Sequence, residues 1–239
     1  MKLTADLIGS SPTYINAIKE YELDLSGNHI GLIENLGATR DHYDSINLCN
    51  NTVRILGNFP EFGRLQSLYI ADNRVASIEK GLASCLPNLH TLILTNNDIA
   101  ELVDLEPLRE LSELRFLSLT NNPATFKPHA RLWCIWRLSS SLRVLDFERV
   151  TQAERGQAKA LFETADGGLS DLAKNILAIE SVATTNTFVP GEGLGAGQEP
   201  GADEGDGAAM DEDKQQNIAD LKARIREEMA QVEAMEEFI

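Results

Sequence analysis

The sequence has 239 residues, a formal net charge of −16 and a hydrophobic fraction of 43%. This length accommodates one domain with extensions, and the hydrophobic fraction is sufficient for a packed core. The sequence contains no run of 18 or so apolar residues, so it predicts no membrane span, with about 18 being the minimum length. The N-terminus lacks the apolar stretch of a secretory signal. A polyanion repels nucleic acid unless its basic side chains are segregated, so a basic partner is expected to make most contacts with any nearby RNA or DNA.

The three cysteines bear on the redox environment, and the first twenty residues bear on the N-terminal cap. Cys49, Cys85 and Cys134 are far apart, which predicts neither a disulfide framework nor a zinc site and favours an intracellular location. Residues 1–20 place apolar side chains at helical spacing and predict an N-terminal cap of helical turns. These side chains are Leu3, Leu7, Ile8, Ile15 and Ile18.

Residues 21–150 contain an internal repeat. The pattern L-x-x-L-x-L-x-x-N occurs five times, with Asn28, Asn51, Asn73, Asn97 and Asn122 separated by 23, 22, 24 and 25 residues. This period is that of leucine-rich repeats. It predicts an α/β solenoid of about five to six repeats, with a parallel concave sheet and short convex helices or turns. The five asparagines are predicted to form a buried ladder that bonds the backbone of neighbouring coils.

Apolar residues outside the strands predict the convex core and the C-terminal cap. The residues after each asparagine, Ile33, Leu56, Ile78 and Leu102, should pack the convex side. After the fifth repeat, an aromatic helix with Trp133 and Trp136 and a sixth strand near Leu142, Leu145 and Phe147 should cover the open end.

Three segments follow the repeats. Residues 151–189 predict a helical extension with a break at Gly167 and Gly168. Residues 190–213 are rich in glycine and acid, which predicts a flexible linker. Residues 214–239 carry one apolar stripe at three- and four-residue steps and predict an amphipathic helix. That helix either binds a partner groove or coiled coil, or folds back onto the repeats.

No constellation in the sequence predicts catalysis. The four histidines are scattered, and the GEGLGAG stretch at Gly191 lacks the preceding strand and the GK[ST] of a phosphate loop. The acidic residues of 203–213 lack the ligand spacing of a calcium loop. The sequence therefore predicts a non-enzymatic protein with no catalytic residues, no cofactor and no metal site.

The concave face is the predicted functional surface. Tyr69, Ile93 and Phe116 lie on neighbouring strands, where a solvated face would be polar. With acidic residues beside them, they suit the docking of a helix with apolar anchors and basic edges, although scattered surface aromatics are the alternative. The predicted protein-binding set is Glu22, Asp24, Asn47, Tyr69, Asp72, Ile93, Phe116 and Ser118.

Several segments resemble one family. KLTADLI, ELDLSGNHI with IENLGAT, LILTNNDIAEL, NNPATFKPHARLWCIWRL, RVLDFERV and TFVPGEGL resemble the A-prime family of spliceosomal leucine-rich-repeat proteins, which belong to the U-two small nuclear ribonucleoprotein. The resemblance covers about residues 2 to 194, so most of the linker and the whole of the last helix lie beyond it.

The resemblance implies a nuclear, non-catalytic scaffold in pre-mRNA splicing. The concave face would hold a helix of an RNA-recognition-motif protein of the B-double-prime type, and that partner would read a stem-loop of the U-two snRNA. The docking positions carried over are Asp24, Asn47, Tyr69, Ile93 and Phe116. The C-terminal helix would contact other spliceosomal proteins.

RNA contacts from this chain are expected only at its edges. The candidates are Lys2, His29 and Arg149. Ser26 stands where the family resemblance suggests a basic residue, which weakens the expectation for that loop.

Two other classes of leucine-rich-repeat protein fit less well. Acidic nuclear members bind histones or phosphatases, but their tails are nearly continuous acid runs, whereas this linker is diluted by glycine. Phosphatase-regulatory members use a similar period with more repeats. These classes differ in what co-purifies with them.

Overall fold

In the computed structural model, residues 2–179 and the single residue Ala223 are described. Residues 2–179 lie within one compact unit. The predicted linker 190–213, residues 180–189 of the extension and, apart from Ala223, the predicted helix 214–239 lie outside the described residues.

The N-terminal segment is a short helix followed by a strand. Helix α1 spans Ala5–Ser10, and Thr4 caps it by accepting a hydrogen bond from the Leu7 amide at 3.2 Å. Strand β1, Thr13–Ile15, pairs antiparallel with β2, Tyr21–Asp24. The prediction of helical turns throughout 1–20 is wrong here: Ile15 is 72% exposed, because this segment covers the outer edge of β2 instead of packing into the core.

The strands of the repeats form one main sheet and a separate pair. They are β3 (Ser45–Asn47), β4 (Ile55–Leu56), β5 (Ser67–Tyr69), β6 (Ser77–Ile78), β7 (Thr91–Ile93), β8 (Phe116–Ser118), β9 (Val144–Leu145) and β10 (Glu148–Arg149). Among the described residues, the main sheet has the order β1-β2-β3-β5-β7-β8-β9-β10, and β4 pairs with β6 in a separate sheet. All pairs from β2 to β9 are parallel. We number coils 1 to 6 by β2, β3, β5, β7, β8 and β9. This architecture confirms the predicted leucine-rich-repeat solenoid.

Short helices and turns connect the strands. The first three are the 3-10 helix Leu36–Thr39, helix α2 (Leu82–Cys85) and the 3-10 helix Leu102–Glu110. The fifth coil leads into the 3-10 helix Pro123–Phe126, then α3 (Ala130–Arg137), α4 (Gln152–Phe162) and α5 (Asp171–Leu177). The predicted convex core residues Ile33, Leu56, Ile78 and Leu102 are all buried.

Asn51, Asn73, Asn97 and Asn122 form a buried ladder between coils. The Nδ2 of Asn73 donates to the Leu48 carbonyl of the preceding coil at 2.9 Å, and its Oδ1 accepts from the Val53 amide at 3.0 Å. The other three repeat this pattern, with carbonyl acceptors at Leu25, Ile70 and Leu94. The ladder thus satisfies backbone groups that would otherwise be buried without partners.

Asn28 does not belong to this ladder, so the prediction of five members is wrong for it. Its side chain is half-buried and donates within its own coil, to the Ser26 carbonyl at 3.0 Å. The reason is topological: the strand before β2 is antiparallel, so coil 1 has no preceding parallel coil whose carbonyl Asn28 could reach.

The residue before each repeat asparagine has a left-handed backbone. Glycine, asparagine and aspartate tolerate this conformation best, which explains the recurring Gly-Asn, Asn-Asn and Asp-Asn doublets. On coils 3 to 5 these residues also bond one another, since Asn96 donates to Asp72 and Asn121 donates to Asn96, both at 2.7 Å. The φ values are 70° at Gly27, 55° at Asn50, 54° at Asp72, 55° at Asn96 and 60° at Asn121.

Aromatic rings join the helices of the C-terminal cap. Trp133 of α3 is 1% exposed, and its ring centroid lies 5.3 Å from those of Trp136 and of Phe162 in α4. The Trp136 and Phe162 rings stack at 5.1 Å. The two tryptophans therefore belong to the cap, as the sequence predicts.

Arg131 ties the cap to the end of the sheet. Its guanidinium donates to the Glu154 carboxylate and to the Leu145 carbonyl, each at 2.8 Å, and to the Arg149 carbonyl at 3.3 Å. Burial opposes ionisation of Glu154, but the bonds from Arg131 and Thr151 outweigh it and hold the pKa of Glu154 at about 2.

Replacement of Asn73 by alanine should lower the free energy of unfolding by about 3 kcal/mol, because it strips bonds from several buried backbone groups. The matched control is Asn28→Ala, which should cost less than about 1 kcal/mol because its amide bonds a single half-buried carbonyl. Urea unfolding of both variants measures the difference. Equal losses would show that the ladder is not what holds the coils.

Glu154 should contribute to acid unfolding. Its pKa in the folded state is depressed, so its stabilisation is fully present above pH 4.5 and is lost as the pH falls towards 2. Glu154→Gln should therefore lose less unfolding free energy than the wild type between these pH values. Glu148→Gln is the control, because the Glu148 side chain is 72% exposed and lies 3.6 Å from Arg131. A wild-type acid profile in Glu154→Gln would contradict this role.

Candidate protein-binding surface

Parallel register arranges the concave side chains in two rows. Between the rows lie the inward-pointing leucines and isoleucines, such as Leu68 and Leu92, which are fully buried. The first row is Glu22, Ser45, Ser67, Thr91, Phe116 and Val144, and the second is Asp24, Asn47, Tyr69, Ile93 and Ser118. The structure thus places seven of the eight predicted protein-binding residues on one face.

Two expectations about the apolar stripe need correction. Tyr69 and Ile93 share the second row, but Phe116 pairs with Thr91 in the first row, so the three apolar residues lie on a diagonal. They are also buried, with exposed fractions of 2%, 1% and 7%. The stripe is therefore not open to solvent in the structure of the chain alone.

Asp72 is the predicted site residue that lies outside both rows. It comes three residues after Tyr69, at the left-handed position where the chain leaves the strand alternation. Its carboxylate accepts from Asn96 at 2.7 Å, as part of the exposed chain of side chains described above. Its part in protein binding stays a prediction, and its position after the end of β5 at Tyr69 sets it apart from the two rows.

Acidic side chains gather at the first coils of the concave face. Asn16 donates to Glu22 at 2.9 Å and to Glu20 at 3.3 Å, and the Tyr14 hydroxyl donates to Glu22 at 3.0 Å. Asn47 donates to Asp24 at 3.1 Å across the strands. The first two coils therefore present an acidic end to any ligand of this face.

Burial and charge perturb the titratable groups at this end. Burial raises the pKa of Glu20, and the neighbouring Glu22 and Asp44 add to the effect, while bonds from Ser67 and Asn16 oppose it. Burial and the charges of Glu20 and Glu22 likewise raise the pKa of Tyr69. A positive charge from a ligand would relieve this repulsion.

The contribution of β1 and its turn to this site was not predicted from the sequence. Tyr14, Asn16 and Glu20 reach the concave face because β1 pairs with β2 as a hairpin. The signal for a strand was Pro12, which disfavours a continuing helix, followed by the β-branched Thr13 and Ile15. The helical spacing of the apolar residues concealed it.

The three RNA-contact candidates are not brought together. Lys2 and His29 belong to coil 1 and the segment before it, whereas Arg149 lies in β10 at the other end of the sheet. Six strand steps separate β2 from β10, which is roughly 29 Å at about 4.8 Å per step.

The part of the chain from residue 2 to 179 contains no group of three or more His, Cys, Asp or Glu side chains arranged to hold a metal ion. None of the helices described there is long and apolar enough to cross a membrane.

Comparisons with known proteins agree with this architecture. A family model described as Leucine-rich repeat matches residues 1–177. A protein of Aspergillus fumigatus named U2 small nuclear ribonucleoprotein A' is 50% identical over 181 residues, which are 76% of this chain and 70% of that protein. The chain belongs to the U2 small nuclear ribonucleoprotein A' family. The human protein of that name is 44% identical over 194 residues, 81% of this chain and 73% of its own length.

A solved structure of this family extends the likeness to three dimensions. The crystal structure of the Drosophila melanogaster SNF/U2A' complex contains a chain that is 43% identical and superposes with a TM-score of 0.70. The match covers 74% of this chain and 99% of that chain. Membership of the A' family confirms the resemblance noted in the sequence.

Proposed function

We propose that this chain is a non-catalytic scaffold subunit of the U2 small nuclear ribonucleoprotein, acting in the nucleus in pre-mRNA splicing. Its concave face binds an RNA-recognition-motif protein of the B-double-prime type. That partner binds the stem-loop of the U2 snRNA, and the present chain supports it.

The observation that carries this proposal is the match to the SNF/U2A' complex. The match spans almost the whole of the related chain and 74% of this one. In that complex a protein of the same family is bound to another protein. A partner-binding role is therefore the function that best accounts for a repeat domain without catalytic groups.

The chemistry of the two rows specifies what such a partner presents. Tyr69, Ile93 and Phe116 provide apolar contacts on coils 3 to 5, and Glu22 and Asp24 provide negative charge on coil 1. A helix with apolar anchors at one end and basic residues at the other matches this pattern. The charges fix its direction along the sheet, since the reverse direction would leave Glu22 and Asp24 opposite apolar residues.

RNA recognition belongs mainly to the partner in this proposal. The net charge of −16 disfavours broad contact between the chain and RNA. Contacts from Lys2 and His29 on one side, or from Arg149 on the other, would be separate edge contacts because these residues lie at opposite ends of the sheet.

Purification of the tagged full-length protein from its own cells, followed by sequencing of the RNA and proteins bound to it, tests this function. We expect U2 snRNA and an RNA-recognition-motif protein. Tyr69→Ala with Phe116→Ala should weaken partner binding by about 2 kcal/mol, close to 30-fold, because buried aromatic anchors are lost.

The control pairs this variant with Leu32→Ala and Ile55→Ala, which remove exposed apolar side chains outside the concave rows. Both variants are first compared with the wild type by thermal unfolding. Should the concave variant stay folded and keep its affinity, the concave face is not the binding site. Recovery of histones or a phosphatase without U2 snRNA would replace the splicing assignment by another class of repeat protein.

A further inference from the structure

The main sheet has an open edge at its N-terminal end. The first strand of the sheet is β1, Thr13–Ile15, and all three of its residues are exposed. Edge strands are usually protected by a lysine, a proline or a bulge, because their outward backbone groups can pair with another chain. Thr13, Tyr14 and Ile15 form a regular strand without these protective features, and all three are residue types that favour strands. This edge is therefore able to accept a further strand.

The pairing of β1 with β2 decides which backbone groups point outward. Hydrogen-bonded pairs, joined at 2.9 Å, flank β1 on both sides: Pro12 with Asp24, and Asn16 with Glu20. Antiparallel strands alternate between bonded and non-bonded pairs, so the backbone of Tyr14 faces β2, whereas that of Thr13 and Ile15 faces away from it. The N–H and C=O groups of Thr13 and Ile15 are therefore the groups that a new strand would bond.

One face of β1 is apolar and aromatic. Ile15 lies opposite Tyr21 and is 72% exposed. The Tyr21 ring stacks on that of Tyr43 at 5.1 Å, and the Tyr21 hydroxyl donates to the Thr13 hydroxyl at 3.2 Å. An apolar side chain on an added strand would cover Ile15 and Tyr21, since cross-strand neighbours on one face are in contact.

The other face of β1 is acidic. The Tyr14 hydroxyl donates to Glu22 at 3.0 Å and to Asp24 at 3.4 Å. Asn16 and Asn47 also donate to these carboxylates, and both are neutral. A basic side chain beside Tyr14 would therefore lie within reach of negative charge and of the face of the Tyr14 ring.

We propose that the outer edge of β1 binds an extended segment of a partner protein in which apolar and basic side chains alternate. The apolar side chains would pack on Ile15 and Tyr21, and the basic ones would lie beside Tyr14. Backbone bonds to Thr13 and Ile15 would hold the segment as an added strand. This site is distinct from the concave rows, where the helix of the proposed partner would lie.

A second copy of the chain is the alternative occupant, and charge disfavours it. Two β1 edges that paired would bring the β2 strands of both copies, with Glu22 and Asp24, about 14 Å apart. Each chain also carries a net charge of −16. A basic segment offsets this negative charge, whereas a second copy adds to it.

Fluorescence polarisation with the full-length protein tests the site, and the probe is the fluorescein-labelled peptide KVKVKVK. We expect saturable binding to the wild type, and binding at least about tenfold weaker for the charge-reversed peptide EVEVEVE. Ile15→Pro should weaken binding of KVKVKVK at least about tenfold, because it removes an outward N–H donor and the exposed side chain. The bonds between β1 and β2 do not use that N–H, so the hairpin should remain.

Backbone-methylated probes test strand addition itself. In an antiparallel arrangement the valines lie opposite Thr13 and Ile15 and exchange hydrogen bonds with them. N-methylation of the valines should then abolish binding, and N-methylation of the lysines should not. A parallel arrangement would reverse the two results. Equal affinity of the two methylated peptides would overturn the proposal, because backbone pairing to one edge requires them to differ.

Two further variants complete the design. Phe126→Ala is the matched control, since it removes a side chain that is 79% exposed on coil 5 and should leave binding unchanged. Ile15→Lys replaces Ile15→Pro if thermal unfolding shows that the proline variant is not folded. A lysine is well tolerated on an edge strand, and here it would repel the basic probe.

Wild-type affinity for KVKVKVK in a folded Ile15 variant would overturn the proposal. Dimerisation of the wild type in analytical ultracentrifugation, lost in the same variant, would assign the edge to a second copy instead. Tyr69→Ala with Phe116→Ala should bind KVKVKVK as the wild type does. Failure of the edge site and failure of the proposed function are therefore distinguishable, because each is tested by its own variants and ligand.

Discussion

The asparagine ladder is the constraint on which the rest of the structure depends. A coil can bury its leucines only if the chain leaves each strand at the same point and if the carbonyls exposed there find partners. Asn73 does both, since its amide reaches the Leu48 carbonyl one coil back and its Oδ1 holds the Val53 amide. The left-handed residue before each ladder asparagine makes the turn possible. Period, register and burial all follow from these two adjacent positions.

In-register stacking converts positions in the repeat into rows on the surface. Because each coil has the same conformation as the one before it, the residues at one position of the repeat form a row of side chains. The chemistry of the side chains in that row determines which ligand can bind. One row begins at Asp24 and passes through Tyr69 and Ile93, so it changes from acidic to apolar. The position just before the strands changes from Asp44 on coil 2 to Arg115 and Arg143 on the last coils. The solenoid is thus graded in charge and in polarity, which gives any ligand a direction.

The interactions at the two ends of the solenoid differ from those between its central coils. At the first coil, β1 runs antiparallel to β2, which removes Asn28 from the ladder and brings Tyr14 and Asn16 to the concave face. At the last coil, aromatic packing around Trp133 and the bonds of Arg131 close the core. Each end of the solenoid would otherwise expose unpaired backbone groups or apolar surface. Local interactions that are not part of the repeat pattern cover them.

The sequence by itself determined the solenoid, its period, the convex core, the aromatic cap and the family, because each depends on side chains that recur at fixed spacing. It also placed Asp24, Asn47, Tyr69, Ile93 and Ser118 in their row, since alternation within a strand is local. Only the tertiary structure decided that Phe116 stands in the other row, that Asp72 follows the strand in a left-handed conformation and that the apolar residues are buried. These features depend on the register between coils, which no local pattern of residues records.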